Sequence, residues 1–181
     1  FQKAGIDHSQ KKELYIFEMG FGTGLNAILS YKKATVEKRH INYHCIEAYP
    51  VSLEQARQMD YLEDKATAEI TAFESMHTAE NSTALKLNDY FTFKKIITQI
   101  QDHTLPIEIY DIIFYDAFGP KVQAELWKSD ILTKFYNSLN AGGFLVTYCA
   151  QGEFKRNLKK VGFRVESIPG PPGKREMTRA F

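Results

Sequence analysis

Residues 14–26 read Leu-Tyr-Ile-Phe-Glu-Met-Gly-Phe-Gly-Thr-Gly-Leu-Asn, and the reading of this stretch decides the fold. Leu14 to Phe17 is a short apolar run of strand type. It ends on a carboxylate, Glu18, and breaks into three alternating glycines, Gly20, Gly22 and Gly24. Beyond them Leu25, Ala27, Ile28 and Leu29 resume apolar spacing at helical period, with Asn26 among them. Strand, glycine turn and helix form the first crossover of an open α/β sheet, and such sheets bind ligands at the carboxyl ends of their strands. Glycine suits the turn because it bends sharply and brings backbone against a ligand with no Cβ in the way. The spacing excludes two nucleotide motifs. A G-x-G-x-x-G fingerprint counted from Gly20 meets Leu25 where its third glycine belongs, and a phosphate loop would end in Gly-Lys-Ser/Thr where the chain has Gly24-Leu25-Asn26.

The pattern present, E-x-G-x-G-x-G from Glu18, resembles motif I of class I S-adenosylmethionine (SAM) methyltransferases. That resemblance implies a glycine loop under the methionine and ribose of SAM, with Glu18, Gly20, Gly22, Gly24 and Asn26 on the cofactor. Ile41 to Glu47 reads as the second strand. Glu47 falls close to where nucleotide folds place an acid on the ribose hydroxyls, and a carboxylate there can accept both hydroxyl protons.

The 181 residues suit one domain over 1–181, large enough to bury roughly 70% of its unfolded surface. Phe1 to Lys12 shows no clear element and the chain starts abruptly, which points to a missing upstream segment. A content of 44% hydrophobic and 25% charged residues is that of an ordinary globular protein. No apolar run approaches the ~20 residues that span a bilayer, and no signal peptide is visible. Cys45 and Cys149 both sit in apolar strand-like runs, which reads as buried thiols in a reduced, cytoplasmic protein. The five histidines show no metal-ligand spacing, so no metal is expected. The net charge of +1 argues against a nonspecific nucleic-acid coat. Its distribution is uneven: residues 52–90 hold three basic against eight acidic residues, and residues 151–181 hold eight basic against three acidic. A basic tail fits a docked polyanion or a solvated helix face equally well.

Along the rest of the chain, a first helix is expected over about Thr23 to Lys33, and Pro50 then Val51, Leu53 and Ala56 begin another, since proline near a first turn costs no hydrogen bond. Residues 60–90 are poorly readable, apart from a hairpin turn at Asn88-Asp89 leading into a strand. Tyr110 to Asp116 has the continuous apolar character of a central parallel strand and ends on a second carboxylate. The loop Ala117-Phe-Gly-Pro120 follows, then helical spacing from Leu126 to Leu139 ending at Gly142-Gly143. Phe144 to Cys149 reads as a strand and Phe154 to Val161 as a basic amphipathic helix. Phe163 to Ile168 and Lys174 to Phe181 read as two last strands joined by a tight turn. The order gives an α/β, Rossmann-like class I fold with a mostly parallel, seven-stranded sheet and an antiparallel last strand.

Asp116-Ala-Phe-Gly-Pro120, Glu125-Leu-Trp127, the Gly142-Gly143 to Thr147 run and Gly173-Lys-Arg-Glu-Met177, taken with Glu18 to Asn26, are similar to the methyltransferase half of the MnmC family of tRNA wobble-uridine modifying enzymes. The resemblance runs in order along most of the chain and is weakest over residues 60–105. There the family often has an aspartate after the third strand, where Phe93-Lys94-Lys95 offers none. It implies a stand-alone methyltransferase domain without the flavin (FAD) oxidase domain of the bifunctional members. The implied reaction is SAM-dependent methylation of the amine of 5-aminomethyl(-2-thio)uridine at the tRNA wobble position, with separate partner enzymes for the preceding step. It makes Asp116 the catalytic carboxylate that orients the ammonium and takes up its proton, and a residue beside SAM. Phe118 would stack on the uracil. Lys174 and Arg175 would meet phosphates. Trp127 reads as core. Two alternatives share the fold: a polyamine-type aminopropyltransferase, which wants a second acid beside Asp116 that Ala117-Phe118-Gly119 lacks, and a catalytically degenerate RNA-binding adaptor.

Overall fold

The protein was examined as a computed structural model that describes residues 1, 5–59, 61, 66–173 and 175–181. Eight strands form one sheet: β1 (Glu13–Met19), β2 (His40–Glu47), β3 (Ala84–Asn88), β4 (Phe91–Ile97), β5 (Tyr110–Tyr115), β6 (Leu139–Thr147), β7 (Val165–Pro169) and β8 (Glu176–Ala180). Their order across the sheet is β3-β4-β2-β1-β5-β6-β8-β7. The five central strands β4, β2, β1, β5 and β6 run parallel, and β3 and β8 pair antiparallel with their neighbours. Helices α1 (Leu25–Glu37), α2 (Leu53–Arg57), α3 (Thr67–Thr78), α4 (Ser129–Ser138) and α5 (Gly152–Val161) connect them.

Parallel central strands are covered on both sides, so side chains of both parities must be apolar. Leu14, Ile16, Ile41, Tyr43, Cys45, Phe91, Phe93, Ile112 and Phe114 form one cluster with Ala27, Ile28 and Tyr31 of α1 and with Phe73 and Met76 of α3. Phe17, Met19, Ile46, Ile96, Ile113 and Tyr115 face the other way. They pack against Ile131, Leu132 and Phe135 of α4 and Phe154 and Leu158 of α5. Phe73 and Phe135 are wholly buried, and truncating either to Ala would cost roughly 3–5 kcal/mol. α3 ends against Lys95, a buried side chain whose ammonium donates to the Met76 and His77 carbonyls that the helix leaves unpaired.

The structure departs from the sequence reading at five places. The eighth strand, β3, is a short edge strand whose Leu85-Lys86-Leu87-Asn88 alternation spans only four residues, too brief a pattern to mark it. It meets β4 through a turn at Asp89-Tyr90, one residue beyond the Asn88-Asp89 turn expected. α1 runs on to Glu37, ending at Lys38 in left-handed conformation. The helix expected to reach Gly142-Gly143 stops at Ser138. β6 begins at Leu139 and bulges, since Tyr110 pairs with Leu139 but Ile112 pairs with Phe144, and Gly142 takes a φ of +78° within the bulge. Cys149 lies just past β6 and is only half-buried, because β6 ends at Thr147. Among the described residues no helix is long and apolar enough to cross a membrane.

Candidate active site

The parallel register sets the site. Met19 pairs with Ile46 and with Tyr115, and Ile46 pairs with Ile96, so β1, β2, β4 and β5 end at one level. The residues just past those ends surround a cavity of about 540 Å³. The glycine loop makes its floor. Gly20, Gly22 and Gly24 have φ of +87°, +53° and +79°, values that L-residues adopt at a cost. Their surroundings differ. A Cβ on Gly20 would lie 3.2 Å from the Asp116 carbonyl oxygen, and one on Gly24 would lie 3.0 Å from the Phe21 ring and 3.1 Å from His77 Nε2. One on Gly22 would meet nothing within 4 Å. Gly20 and Gly24 thus satisfy close packing within the protein, while Gly22 opens onto the cavity.

Glu47, at the end of β2, fixes that loop. Its Oε2 accepts the Gly22 backbone N–H at 2.9 Å and its Oε1 accepts that of Tyr49 at 3.0 Å. Each carboxylate oxygen can accept a further hydrogen bond, and Glu47 lines the cavity. On the β4 side the lining is Thr98, Gln99, Ile100 and Gln101. β4 runs to Ile97, so its carboxyl end lies past Lys94-Lys95, and the following residues offer amides and a hydroxyl. Thr23 Oγ1 and the Tyr61 hydroxyl lie 3.0 Å apart and join the glycine loop to the far wall.

Asp116 follows β5, is exposed, and lines both this cavity and a neighbouring one of about 410 Å³. Its backbone N–H donates to the Met19 carbonyl at 3.1 Å, and its Oδ2 accepts from Asn26 Nδ2 at 2.9 Å. The same Asn26 nitrogen donates to Glu18 Oε1 at 2.8 Å. Glu18 does not line the cavity. It is 1% exposed, and burial pushes its carboxyl up to about 8, with hydrogen bonding to Asn26 and the proximity of Tyr43 pulling the other way. Tyr43 nevertheless makes no hydrogen bond of good geometry with it, and Glu18 Oε2 and the Tyr43 hydroxyl are both buried without a partner.

The second cavity is bounded by the Tyr115–Pro120 turn, Trp127 and residues 147–151 past β6. Trp127 is buried, as expected of a core residue, yet its indole N–H donates to the Phe118 carbonyl at 2.9 Å and shapes the loop between the two cavities. Phe118 itself is 71% exposed at the first cavity's edge. Arg175 is exposed in the turn before β8 and lines neither cavity, and Lys174 lies outside the described residues.

Sequence reasoning missed several lining residues: Tyr49, Tyr61, Gln99, Gln123, Glu125 and Tyr148. Tyr148 borders both cavities. Glu125 carried a signal, an acid beside two apolar residues. Ala124–Trp127 is a 3-10 turn that buries Leu126 and Trp127 and leaves Glu125 exposed on the lining. A second acid is therefore present near Asp116, supplied from nine positions downstream.

The residues fit a SAM-sized ligand. Open space stands over the Cβ position of Gly22, an acid tied to backbone N–H groups stands at the ribose position, and an apolar wall carries amides at the far end. Residues 52–181 match a family described as S-adenosyl-L-methionine-dependent methyltransferase. A Marinomonas sp. (strain MWYL1) protein named tRNA 5-methylaminomethyl-2-thiouridine biosynthesis bifunctional protein MnmC is 27% identical over 182 residues, which cover 93% of this chain and 26% of that protein. A Delftia acidovorans (strain DSM 14801 / SPH-1) protein of the same name is 27% identical over 177 residues, 91% of this chain and 27% of its own length. The chain thus spans about a quarter of the curated relatives it matches. The solved structure of MNMC2 from Aquifex aeolicus superposes with a TM-score of 0.72 at 21% identity, over 94% of this chain and 54% of that one, a likeness of fold.

Proposed function

The chain belongs to the S-adenosyl-L-methionine-dependent methyltransferase family, and on that premise we propose that it methylates the amine of 5-aminomethyl(-2-thio)uridine at the wobble position of tRNA. The observation that carries the proposal is Asp116, a carboxylate on the rim shared by a donor cavity and an acceptor cavity. The name borne by the relatives, which concerns 5-methylaminomethyl-2-thiouridine in tRNA, supports the same reading. An acceptor in tRNA would place the protein in the cytoplasm, with a separate enzyme supplying the aminomethyl group.

SAM supplies an electrophilic methyl group already activated by its sulfonium. Gly20 and Gly22 would cradle it, with Gly24 packed behind the loop away from the lining, Glu47 would hold the ribose hydroxyls, and the Thr98–Gln101 segment would face the adenine. The chain's own work is then positioning and proton handling. Asp116 meets the incoming ammonium, orients it and accepts a proton so that the nitrogen lone pair is free to attack. Glu125 adds a second negative charge that favours a cationic acceptor. Phe118 offers a ring on which a base can stack, and exposed Arg175 a positive charge for the RNA backbone, with Lys174 its neighbour in sequence. Aminopropyl transfer is not favoured, because the family is one of methyltransferases.

The test is methyl transfer from labelled SAM to tRNA carrying 5-aminomethyluridine, beside tRNA lacking it and a diamine. The expected result is one added methyl on the wobble nucleoside of the first RNA only. Transfer to the diamine, or none to that RNA, would overturn the assignment.

A further inference from the structure

We infer that Asn26 is a positioning residue whose amide spans two carboxyl groups, Glu18 and Asp116, and that Glu18 serves as an uncharged acid so that, of the two, Asp116 carries the charge into the cavity. The geometry makes the case. One Nδ2 carries two hydrogens, and they go to Glu18 Oε1 at 2.8 Å and Asp116 Oδ2 at 2.9 Å. Two carboxyl groups meeting on one amide nitrogen are too close for both to ionise without penalty. Their environments decide which keeps the proton. Asp116 is exposed and solvated, while Glu18 is buried beneath α1.

The titratable groups facing Glu18 among the described residues are Asp116, Glu47, Tyr43 and Cys45, with the amino group of Phe1. No lysine, arginine or histidine side chain is among them, and the Phe1 amino group, itself part-buried, holds its proton less tightly than usual. Burial accordingly raises its carboxyl to about 8. Glu18 Oε2 is buried with no hydrogen-bond donor, which an ionised carboxylate would need and a protonated one does not. Asn26 then has a fixed acceptor behind it and a fixed orientation. It holds Asp116 in one rotamer toward the incoming ammonium. Glu18 acts through Asn26 and touches neither reactant.

The turnover part of the test rests on the reaction proposed above; the other two parts do not. The first part is the infrared carbonyl band of a protonated carboxyl at pH 7, expected in the wild type and absent from Glu18→Gln. The second is S-adenosylhomocysteine binding to Asn26→Asp by calorimetry, expected within about threefold of wild type, since one hydrogen bond of ordinary worth is at stake. The third is the turnover of Asn26→Asp relative to wild type across pH. That variant puts a third carboxyl where the donor was, and it regains a donor only when protonated. Its relative turnover should therefore rise roughly tenfold per unit as pH falls from 8 to 6. Glu18→Gln, which keeps an acceptor for Asn26, should turn over at least ~10-fold faster than Glu18→Leu.

A missing band, or a band that survives Glu18→Gln, would overturn the inference. So would a flat relative pH profile, or an Asn26→Asp variant whose affinity for S-adenosylhomocysteine collapses with its turnover and so marks Asn26 as a cofactor ligand. If the wild type methylates no RNA, the substrate assignment fails and the infrared and binding measurements decide the inference. If Asn26→Asp does not fold, the band and its loss in Glu18→Gln still decide it.

Discussion

Gly22→Ala separates space reserved for a ligand from space filled by protein. Gly22 has a φ of +53° and a Cβ there would meet no atom within 4 Å. The only cost to the folded chain is left-handed backbone on an L-residue, roughly 1–2 kcal/mol. For a chain of this size that lowers Tm by about 2–8 °C. Gly24→Ala pays the same backbone cost and also drives its methyl against Phe21 and His77 at 3.0 and 3.1 Å. Overpacking of that kind adds about 1–3 kcal/mol. Gly22→Ala should therefore melt above Gly24→Ala and close to wild type. Its methyl projects into the cavity, where a cofactor resting on the loop would have to move away. Affinity for S-adenosylhomocysteine, measured by calorimetry on the folded variant, should fall at least ~10-fold, about 1.4 kcal/mol. A folded Gly22→Ala that binds as wild type does would show that the ligand does not rest on this loop, and the reasoning from open space would fail.

Glu47→Ala should weaken cofactor binding by ~1–3 kcal/mol in the same assay, because it releases the Gly22 and Tyr49 N–H groups as well as the ribose acceptor; wild-type affinity would reduce Glu47 to a loop anchor. Asp116→Asn keeps an acceptor for Asn26 but loses the charge, so methyl transfer should fall at least ~10²-fold while cofactor affinity shifts by less than ~1 kcal/mol. Joint loss of both would make Asp116 a cofactor ligand. Replacing Lys174 and Arg175 with Ala should flatten the salt dependence of tRNA binding without touching cofactor affinity, and an unchanged slope would return both to the solvated surface. Glu18 keeps its proton in the folded chain up to about pH 8 but loses it near its ordinary 4.5 when unfolded. Stability should thus fall by up to about 1.4 kcal/mol per pH unit between those values and level off above. Urea melts of Glu18→Gln across that range should lack the slope, and a variant that keeps it would refute the shift.

Sequence carried most of this fold because its decisive signals are local. The run Leu14–Phe17, the alternating glycines and the continuous apolar stretch Tyr110–Tyr115 each report a strand or turn without help from distant residues. β3 escaped because its Leu85-Lys86-Leu87-Asn88 alternation is only four residues long and only partly buried. The end of α4 was misjudged because Gly142-Gly143 look like a helix stop, whereas they serve a bulge created by pairing with β5, a tertiary event. The site divided along the same line. Glu18, Glu47 and Asp116 each end an apolar run and were visible. Glu125 and Tyr148 reach the lining through loop packing, and Thr98–Gln101 because β4 runs past its two lysines.

The three carboxyl groups also show how one side-chain chemistry acquires three roles from strand register alone. Strand parity puts Ile16, Tyr43, Cys45, Ile112 and Phe114 on the face covered by α1, and Glu18, Glu47 and Asp116 fall on that same parity. They differ in depth. Glu18 pairs with Cys45 and Phe114, one residue inside the sheet's edge, where α1 closes over it. Glu47 is the last residue of β2, half-buried, and spends its charge on two backbone N–H groups. Asp116 lies one residue beyond β5 and is exposed. By register Glu47 and Asp116 both lie two residues beyond the level of Glu18, about 6.6 Å along the strands, and over that distance the surroundings pass from apolar interior to open cavity. The inner acid therefore stays neutral, while of the two at the sheet's end Glu47 is pinned by backbone N–H groups and Asp116 is left exposed where an amine can meet it. A doubly ionised Glu18 and Asp116 would set like charges on one amide, so the neutrality of the inner group is what lets the outer one remain charged at the pH where an ammonium must be bound.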